Sequence, residues 1–367
     1  MLYKLAISMI QGVGSRNLRK LMDACEEASL LFPGRSKVPS CLKEMHPDFF
    51  SKLQDPSTLR KAEKELEYME KNGIHALWYR DSAYPSRLRD CEDAPLILYV
   101  KGNTSLNTKK SLSIVGTRKA TSYGLKACES ILSGLQTRGH RPLIISGLAY
   151  GIDICAHRCA LHFGLPTVAV LGHSFEEIYP SEHRETARDI LNRGALVTEF
   201  HSLDKSLKSN FVRRNRIIAG ISEATLVVES AIKGGSLITA SLAYSYQRDV
   251  LCVPGRISDA HSAGCNQWIC NQKALLTETA EDIEKHLGWQ PENLFDPPKS
   301  LQSPLEPAEI QVINALKPHE RMDSQSILQA SHLSSAEIHP ILLHLELEGW
   351  IESLPGGFFR IASGVMI

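Results

Sequence analysis

Seven short apolar runs punctuate the middle of the chain, and stretches with helical periodicity separate them. The runs are Leu112–Gly116, Leu143–Ser146, Thr167–Gly172, Ala195–Glu199, Thr225–Glu229, Val250–Pro254 and Ala274–Thr277. They are continuously apolar rather than alternating, so both faces of each strand are expected to be buried. Strand, helix, strand repeated in this way predicts a parallel sheet with helices on both faces, an α/β Rossmann-like core over residues 81–288. Ligands on such sheets bind outside the carboxyl ends of the strands. The unusual residues of this chain fall at those ends.

The flanks read differently. Leu2, Leu5, Ile10, Leu18, Leu21 and Met22 recur at roughly helical spacing, and residues 57–72 form a charged amphipathic pattern stopped by Asn72-Gly73. Residues 1–80 are therefore expected to be a helical domain. Its Ile10-Gln11-Gly12-Val13-Gly14 stretch resembles the turn of a helix-hairpin-helix or SAM-like unit, where turn amides approach a phosphate; two helices simply packed through a Gly-x-Gly turn would read the same way. Residues 289–304 carry four prolines and few apolar residues, which reads as a linker. Residues 305–367 carry three helical patterns, near Ala308–Leu316, Ser324–Ala330 and Ser335–Glu348, then a hairpin around Pro355-Gly356-Gly357. Three helices and a wing predict a winged helix.

Charge is balanced, with 41 Lys+Arg against 41 Asp+Glu in 367 residues. That excludes a globally basic coat for nucleic acid and an acidic disordered tail, but not a local basic groove. The nine cysteines form no short-loop disulfide ladder, so they read as reduced thiols. Cys155 and Cys159 beside His157, and His261 with Cys265 and Cys270, lack the spacing of a four-ligand metal set. No metal or cofactor is expected. Lys4 interrupts the first apolar stretch, and no run approaches the roughly 20 apolar residues of a membrane span. The expectation is a cytoplasmic protein with no membrane contact.

Each strand end brings its own chemistry. After the first run come Gly116, Thr117, Arg118 and Lys119; six basic and no acidic residues lie between Lys101 and Lys126. There is no G-x-G-x-x-G and no acidic residue about 20 positions on, which argues against a dinucleotide site. An arginine beside helix N-terminal amides suits a phosphate. The second run ends in Ser146-Gly147, with Gly151, Asp153 and His157 following. Asp153 and His157 are four apart on a helix, either an acid–base pair or a loop brace beside a packed imidazole. Residues 205–216 hold five basic and no acidic residues, with Phe211 interleaved, the composition of a single-strand site. Gly234-Gly235-Ser236 opens a helix after a strand, an anion cradle in form without the GK[ST] ending of a nucleotide-hydrolysing loop.

Six runs in this order resemble the DNA processing protein A family (DprA, also called Smf): IVGTRKATSYG, SGLAYGIDICAHRCAL, AVLGHSFEEIYP, NFVRRNRIIAGIS, GGSLITASLA and VLCVPGRISDAHSAGCNQWI. The resemblance covers residues 80–285. It implies a homodimer that binds single-stranded DNA without sequence preference, protects incoming strands in natural transformation, helps load the RecA recombinase and is not an enzyme. The implied DNA-contacting residues are Arg118, Lys208, Phe211, Arg214, Asn215, Arg216, Gly234, Gly235 and Ser236; Gly116, Ser146 and Gly147 at the strand ends complete the expected set. Departures are Val212 in place of a usual proline, His173-Ser174 in place of a small-residue pair, and Gln272-Lys273 in place of a glycine-containing turn.

A nucleotide-processing enzyme on the same sheet, with Glu199, Glu229 or Asp153 as acid or base, is the competing expectation. A protein-interaction adaptor with an incidental basic rim is another. The C-terminal region carries Lys317, Arg321 and Arg360 against eight acidic residues. A winged helix that enters a DNA groove needs a positive face, so this one is expected to bind protein, or to rest against its own chain, and not to read duplex DNA.

Overall fold

The computed structural model describes residues 1–10, 12–25, 27–32, 47–204, 207–290, 305–317, 321–331, 333–348, 350–354 and 357–361. Gln11, Lys205, Pro355, Gly356 and linker residues 291–304 lie outside them. The chain forms two compact units, residues 1–292 and 293–367.

The first unit opens with α1 (Leu2–Ser8), α2 (Ser15–Asp23), α3 (Pro47–Gln54) and α4 (Pro56–Asn72). Asp55 caps α4 through the Ser57 amide, and Gly73 ends it in a left-handed conformation, the Asn-Gly stop read from the sequence. β1 (His75–Trp78), the short α5 (Ser86–Arg89) and β2 (Ile97–Gly102) follow. The alternating region then runs β3 (Ser111–Val115), α6 (Ser122–Thr137), β4 (Leu143–Ser146), α7 (Ile152–His162), β5 (Thr167–Val170), α8 (Arg184–Arg193), β6 (Ala195–Thr198) and α9 (Lys208–Ile221). It closes with β7 (Ala224–Val227), α10 (Ser236–Ser245), β8 (Asp249–Cys252), α11 (Ala263–Cys270), β9 (Leu275–Leu276) and α12 (Ala280–Leu287).

All seven expected strands are present. They form one sheet in the order β1-β2-β6-β5-β4-β3-β7-β8-β9, parallel from β6 through β9. β3 to β7 are buried along their whole length. The sheet starts earlier than the sequence reading placed it: β2 pairs antiparallel with β6, and β1 with β2. A run such as Ile97–Val100 is continuously apolar, and periodicity alone does not tell it from a buried helix segment.

The helices of residues 1–80, read above as a domain of their own, share one core with the sheet. Leu5, Leu21 and Phe49 belong to the same buried cluster as Ile97, Val115 and Ile217. On the opposite face Leu112, Ile114 and Ile144 pack against Ile131 and Leu135 of α6 and Ile152 and Ala156 of α7. No helix among the described residues is long and apolar enough to cross a membrane.

The second unit has α13 (Pro307–Leu316), β10 (Met322–Asp323), α14 (Ser324–Ser331), α15 (Ser335–Leu347), β11 (Ile351–Leu354) and β12 (Phe358–Ile361). The three strands pair antiparallel in the order β10-β12-β11. Val312, Leu316, Ile327, Ile338 and Leu345 form its own core. This is the expected winged helix, with β10 as an added strand too short to leave a pattern.

His157, on α7, is fully buried, and its Nδ1 lies 2.8 Å from Thr167 Oγ1. Burial first, then the nearby Arg214 charge, pushes its pKa down to about 3 from 6.5. A group depressed in the folded state gives stability that is complete above its unfolded pKa and is lost as pH falls toward the folded one. Denaturant titrations should therefore show wild type losing up to about 1.4 kcal/mol per pH unit below pH 6.5 from this residue, and His157→Gln should show a shallower acid slope.

Candidate nucleic-acid interface

β3 has β4 on one side and β7 on the other. The chain therefore winds away from β3 in one direction through β6, crosses back through α9, and continues in the other. The crevice outside the carboxyl ends of β3 and β7 is the topological switch point. A cleft of about 390 Å³ lies there, lined by Gly116 and Arg118 after β3, Phe211, Arg214 and Asn215 of α9, and Gly234, Gly235 and Ser236 at the start of α10. Eight of the expected site residues thus meet in one place, from three separate stretches of sequence. Lys208 stands exposed on α9 one turn before Phe211 and does not line the cleft.

Arg214 forms the floor. Its side chain is buried, and Nη1 donates to Gly147 O at 2.6 Å and to Val170 O. Its Nε donates to Asn215 Oδ1 at 3.2 Å. One guanidinium thus ties α9 to the ends of β4 and β5. A Cβ on Gly147 would collide with that guanidinium, so glycine is required there by the arginine. Burial lowers the Arg214 pKa to about 10, against the pull of Asp153, and the group stays charged at neutral pH. Asp153 is raised by burial despite Arg214, and its Oδ2 accepts the Gly147 N–H at 3.2 Å.

The rim loop after β3 is fixed from two sides. Thr121 caps α6, and its own N–H and hydroxyl donate to the Glu229 carboxylate at 2.9 and 2.7 Å. Ile152 N donates to Thr117 O at 3.3 Å, and Gly151, at φ +77°, passes so close that any Cβ would strike Thr117 O. Arg118 is carried exposed on this braced loop. At the opposite rim Phe211 lies against Gly172, with the rings of Tyr179 and His173 at 5.5 and 6.3 Å. The first turn of α10 has no side-chain cap, leaving its positive end toward the cleft.

Several expectations change. Arg216 is outside the cleft: it is buried and donates to Glu199 Oε2 at 2.6 Å and to Asp93 O, because i and i+3 positions put it with Arg213 on the face of α9 turned to Glu199. Ser146 is fully buried, its hydroxyl donating to Ile114 O at 2.6 Å, so it joins β4 to β3. Gly147 has both backbone groups engaged, by Arg214 and Asp153, and lies beneath the cleft. The Gly234 amide donates to Ala231 O at 2.8 Å within its own turn. Arg214 lends the cleft its charge, while its Nη1 holds backbone. Val212, which departs from the proline that the resemblance implies, lies within α9.

The competing acid–base groups are engaged too. Glu229 braces Thr121, Glu199 holds two arginines, and Asp153 and His157 are buried against backbone and Thr167. Cys155 and Cys159 lie 3.9 Å apart between sulfurs, and no cluster of three or more metal-ligating side chains occurs among the described residues. A larger cavity of about 570 Å³ lies beside the α1–α2 turn, lined by Gly12, Glu199, Asp204 and Arg213. Its charges are mixed and Glu199 already neutralises its arginine, so the smaller switch-point cleft is the candidate anion site. The helix-hairpin-helix-like turn faces this other cavity.

These placements separate two variants. Arg216→Ala should lower unfolding free energy by about 1–3 kcal/mol, since the buried Glu199 carboxylate loses one of its two arginines and the Asp93 carbonyl loses its donor, and should leave the salt dependence of any nucleic-acid binding unchanged. Arg118→Ala should do the reverse. Denaturation and a salt series on both proteins check this.

A model of the "DNA recombination-mediator protein A" family matches residues 75–288, and one of the DprA winged helix domain matches residues 296–357. Protein Smf of Escherichia coli is 34% identical over 338 residues, covering 87% of this chain and 89% of that protein. DNA processing protein DprA of Streptococcus pneumoniae is 36% identical, covering 55% and 71%. The S. pneumoniae DprA crystal structure aligns with TM-score 0.63 and 27% identity, over 78% of this chain and 97% of that one. The Helicobacter pylori protein, solved for its single-stranded DNA binding mode, aligns with TM-score 0.52 and 26% identity, over 58% and 95%. With the family model spanning more than half of the sequence, the chain belongs to the DNA recombination-mediator protein A family.

Proposed function

We propose that the chain is a sequence-independent single-stranded DNA-binding protein that protects incoming or recombining strands and helps load a RecA-type recombinase. The observation that carries this reading is the switch-point cleft. It joins an exposed cation, an uncapped helix N-terminus and an aromatic side chain, while the neighbouring carboxylates are bonded within the fold. Such a site holds a phosphorylated ligand without a group poised to transform it, so we read the protein as a binder rather than an enzyme. The H. pylori relative, studied with single-stranded DNA, supports the choice of ligand. Arg118 and Lys208 hold phosphates, Phe211 meets a base, and the Gly235 and Ser236 amides line the pocket beside Gly116, Asn215 and the Arg214 charge.

Homodimerisation belongs to the same reading. β9 is one of the two edges of the large sheet, and both its residues, Leu275 and Leu276, are exposed. An exposed apolar edge strand is a template for pairing with another chain. Two grooves on one strand then raise apparent affinity through avidity. The winged helix contributes otherwise. The exposed residues of α15 include Glu337, His339, Pro340, Leu343, His344 and Glu346, with no lysine or arginine anywhere on the helix. That surface suits a protein partner, and residues 293–367 alone should show no duplex binding at moderate salt by anisotropy.

The decisive experiment is fluorescence anisotropy with labelled oligo-dT and the matching duplex across a salt series. Wild type should bind oligo-dT far more tightly than duplex. The Arg118→Ala/Lys208→Ala variant should lose affinity, and its salt slope should become shallower by about 0.7 for each phosphate contact removed. If wild type bound neither, or the variant bound equally well, the assignment would be wrong, and nucleotide turnover with Glu229→Gln as control would be the next measurement.

A further inference from the structure

Two tyrosines stand in water beside the cleft on loops that leave neighbouring strands. Tyr179, after β5, is 56% exposed, and Tyr150, after β4, is 40% exposed. Single exposed aromatics are ordinary, but these two continue the aromatic rim that Phe211 begins. The Tyr179 ring lies 5.5 Å from that of Phe211, tilted by 57°. Tyr150 stands edge-on to His183, with centroids 5.0 Å apart.

Both loops are held from beneath by buried imidazoles. His173 accepts the Tyr179 N–H on Nε2 at 3.2 Å and donates from Nδ1 to Ser174 O at 2.7 Å. Thr198 Oγ1 donates to His173 O at 2.8 Å. The His173 ring also stands edge-on to that of Phe211, with centroids 6.3 Å apart. His183 donates from Nδ1 to Leu148 O at 2.8 Å, under the loop that carries Tyr150. The Tyr150 phenol lies near the Glu182 carboxylate. Loops held in this way lose little backbone entropy on binding.

Charge sorts the two sides of the rim. Glu176, Glu177 and Glu182 are exposed on the tyrosine side, with one cation, Arg184, beside them, whereas Arg118 and Lys208 are on the cleft side. Carboxylates repel phosphates but tolerate the faces of neutral bases. We infer that Phe211, Tyr179 and Tyr150 form a base-stacking row, on which unpaired bases of a single strand lie while its phosphates follow the cations. This inference rests on the single-stranded DNA reading and adds the path the strand takes beyond Phe211.

Affinity for oligo-dT would be measured on the full chain for wild type, Tyr179→Ala, Tyr150→Ala and Tyr179→Phe, at several salt concentrations. Losing one stacked base should weaken binding by about fivefold or more. Tyr179→Phe should restore it, and the salt slope of the alanine variants should equal that of wild type, since no phosphate contact is lost. Photocrosslinking of oligonucleotides carrying 5-iodouracil to wild type should mark Tyr179 and Tyr150, which keeps the test informative if an alanine variant fails to fold. Wild-type-like affinity of both alanine variants, a shallower salt slope, or crosslinks elsewhere would overturn the row and leave the cleft assignment standing. Absence of single-strand binding by wild type would instead remove the reading on which the row rests.

Discussion

Burial of the Arg214 guanidinium is the constraint around which the switch point is built. A cation taken out of water is expensive unless its charge and its N–H groups are answered. Here the answers are backbone carbonyls of Gly147 and Val170 and the charge of Asp153. Meeting that demand fixes where α9 crosses the sheet and how closely the ends of β4 and β5 approach it. It also dictates glycine at 147, since any side chain there would occupy the guanidinium's place. The orientation of Asn215, and through α9 that of Phe211, follows from the same anchor.

The basic segment of α9 is consequently divided between two tasks. Arg213 and Arg216 converge on Glu199, each at 2.6 Å, and Arg213 also lies over the Phe200 ring. Lys208, Phe211 and Asn215 occupy the other side at i, i+3 and i+7. One side secures the helix to the core, and the other faces the candidate ligand. A run that looks like a single positive patch in composition therefore offers few mobile cations, and the electrostatic part of strand binding is correspondingly modest.

The sheet was legible because burial on both faces leaves an unmistakable mark, seven continuously apolar runs, and the winged helix because its three helical patterns end in a turn-bearing hairpin. The strand-end loops were legible as a rim, since glycines and cations gather where parallel strands finish. What the sequence withheld is direction. Arg214 and Arg216 are two residues apart, and composition does not say that one lies under the cleft and the other across the helix. Ser146 and Gly147 sat at a strand end like true ligand-facing residues, yet their hydrogen bonds close the sheet. The merging of the N-terminal helices with the sheet was hidden for a related reason. Leu5 and Leu21 reveal an apolar face, but nothing in their spacing names the surface that covers it.

The same economy of hydrogen bonds underlies our proposal that the cleft holds strands. General acid–base chemistry needs a carboxylate or imidazole free to exchange a proton with the ligand. Glu229 receives two hydrogen bonds from Thr121, and Asp153 is committed to the Gly147 amide. His157 is packed against Thr167, with its pKa far below neutrality. Each of these groups positions a loop, and releasing any one to do chemistry would loosen the rim that presents Arg118 or the floor built on Arg214. The cleft's order is thus maintained by the very residues that a catalyst on this sheet would need to set free.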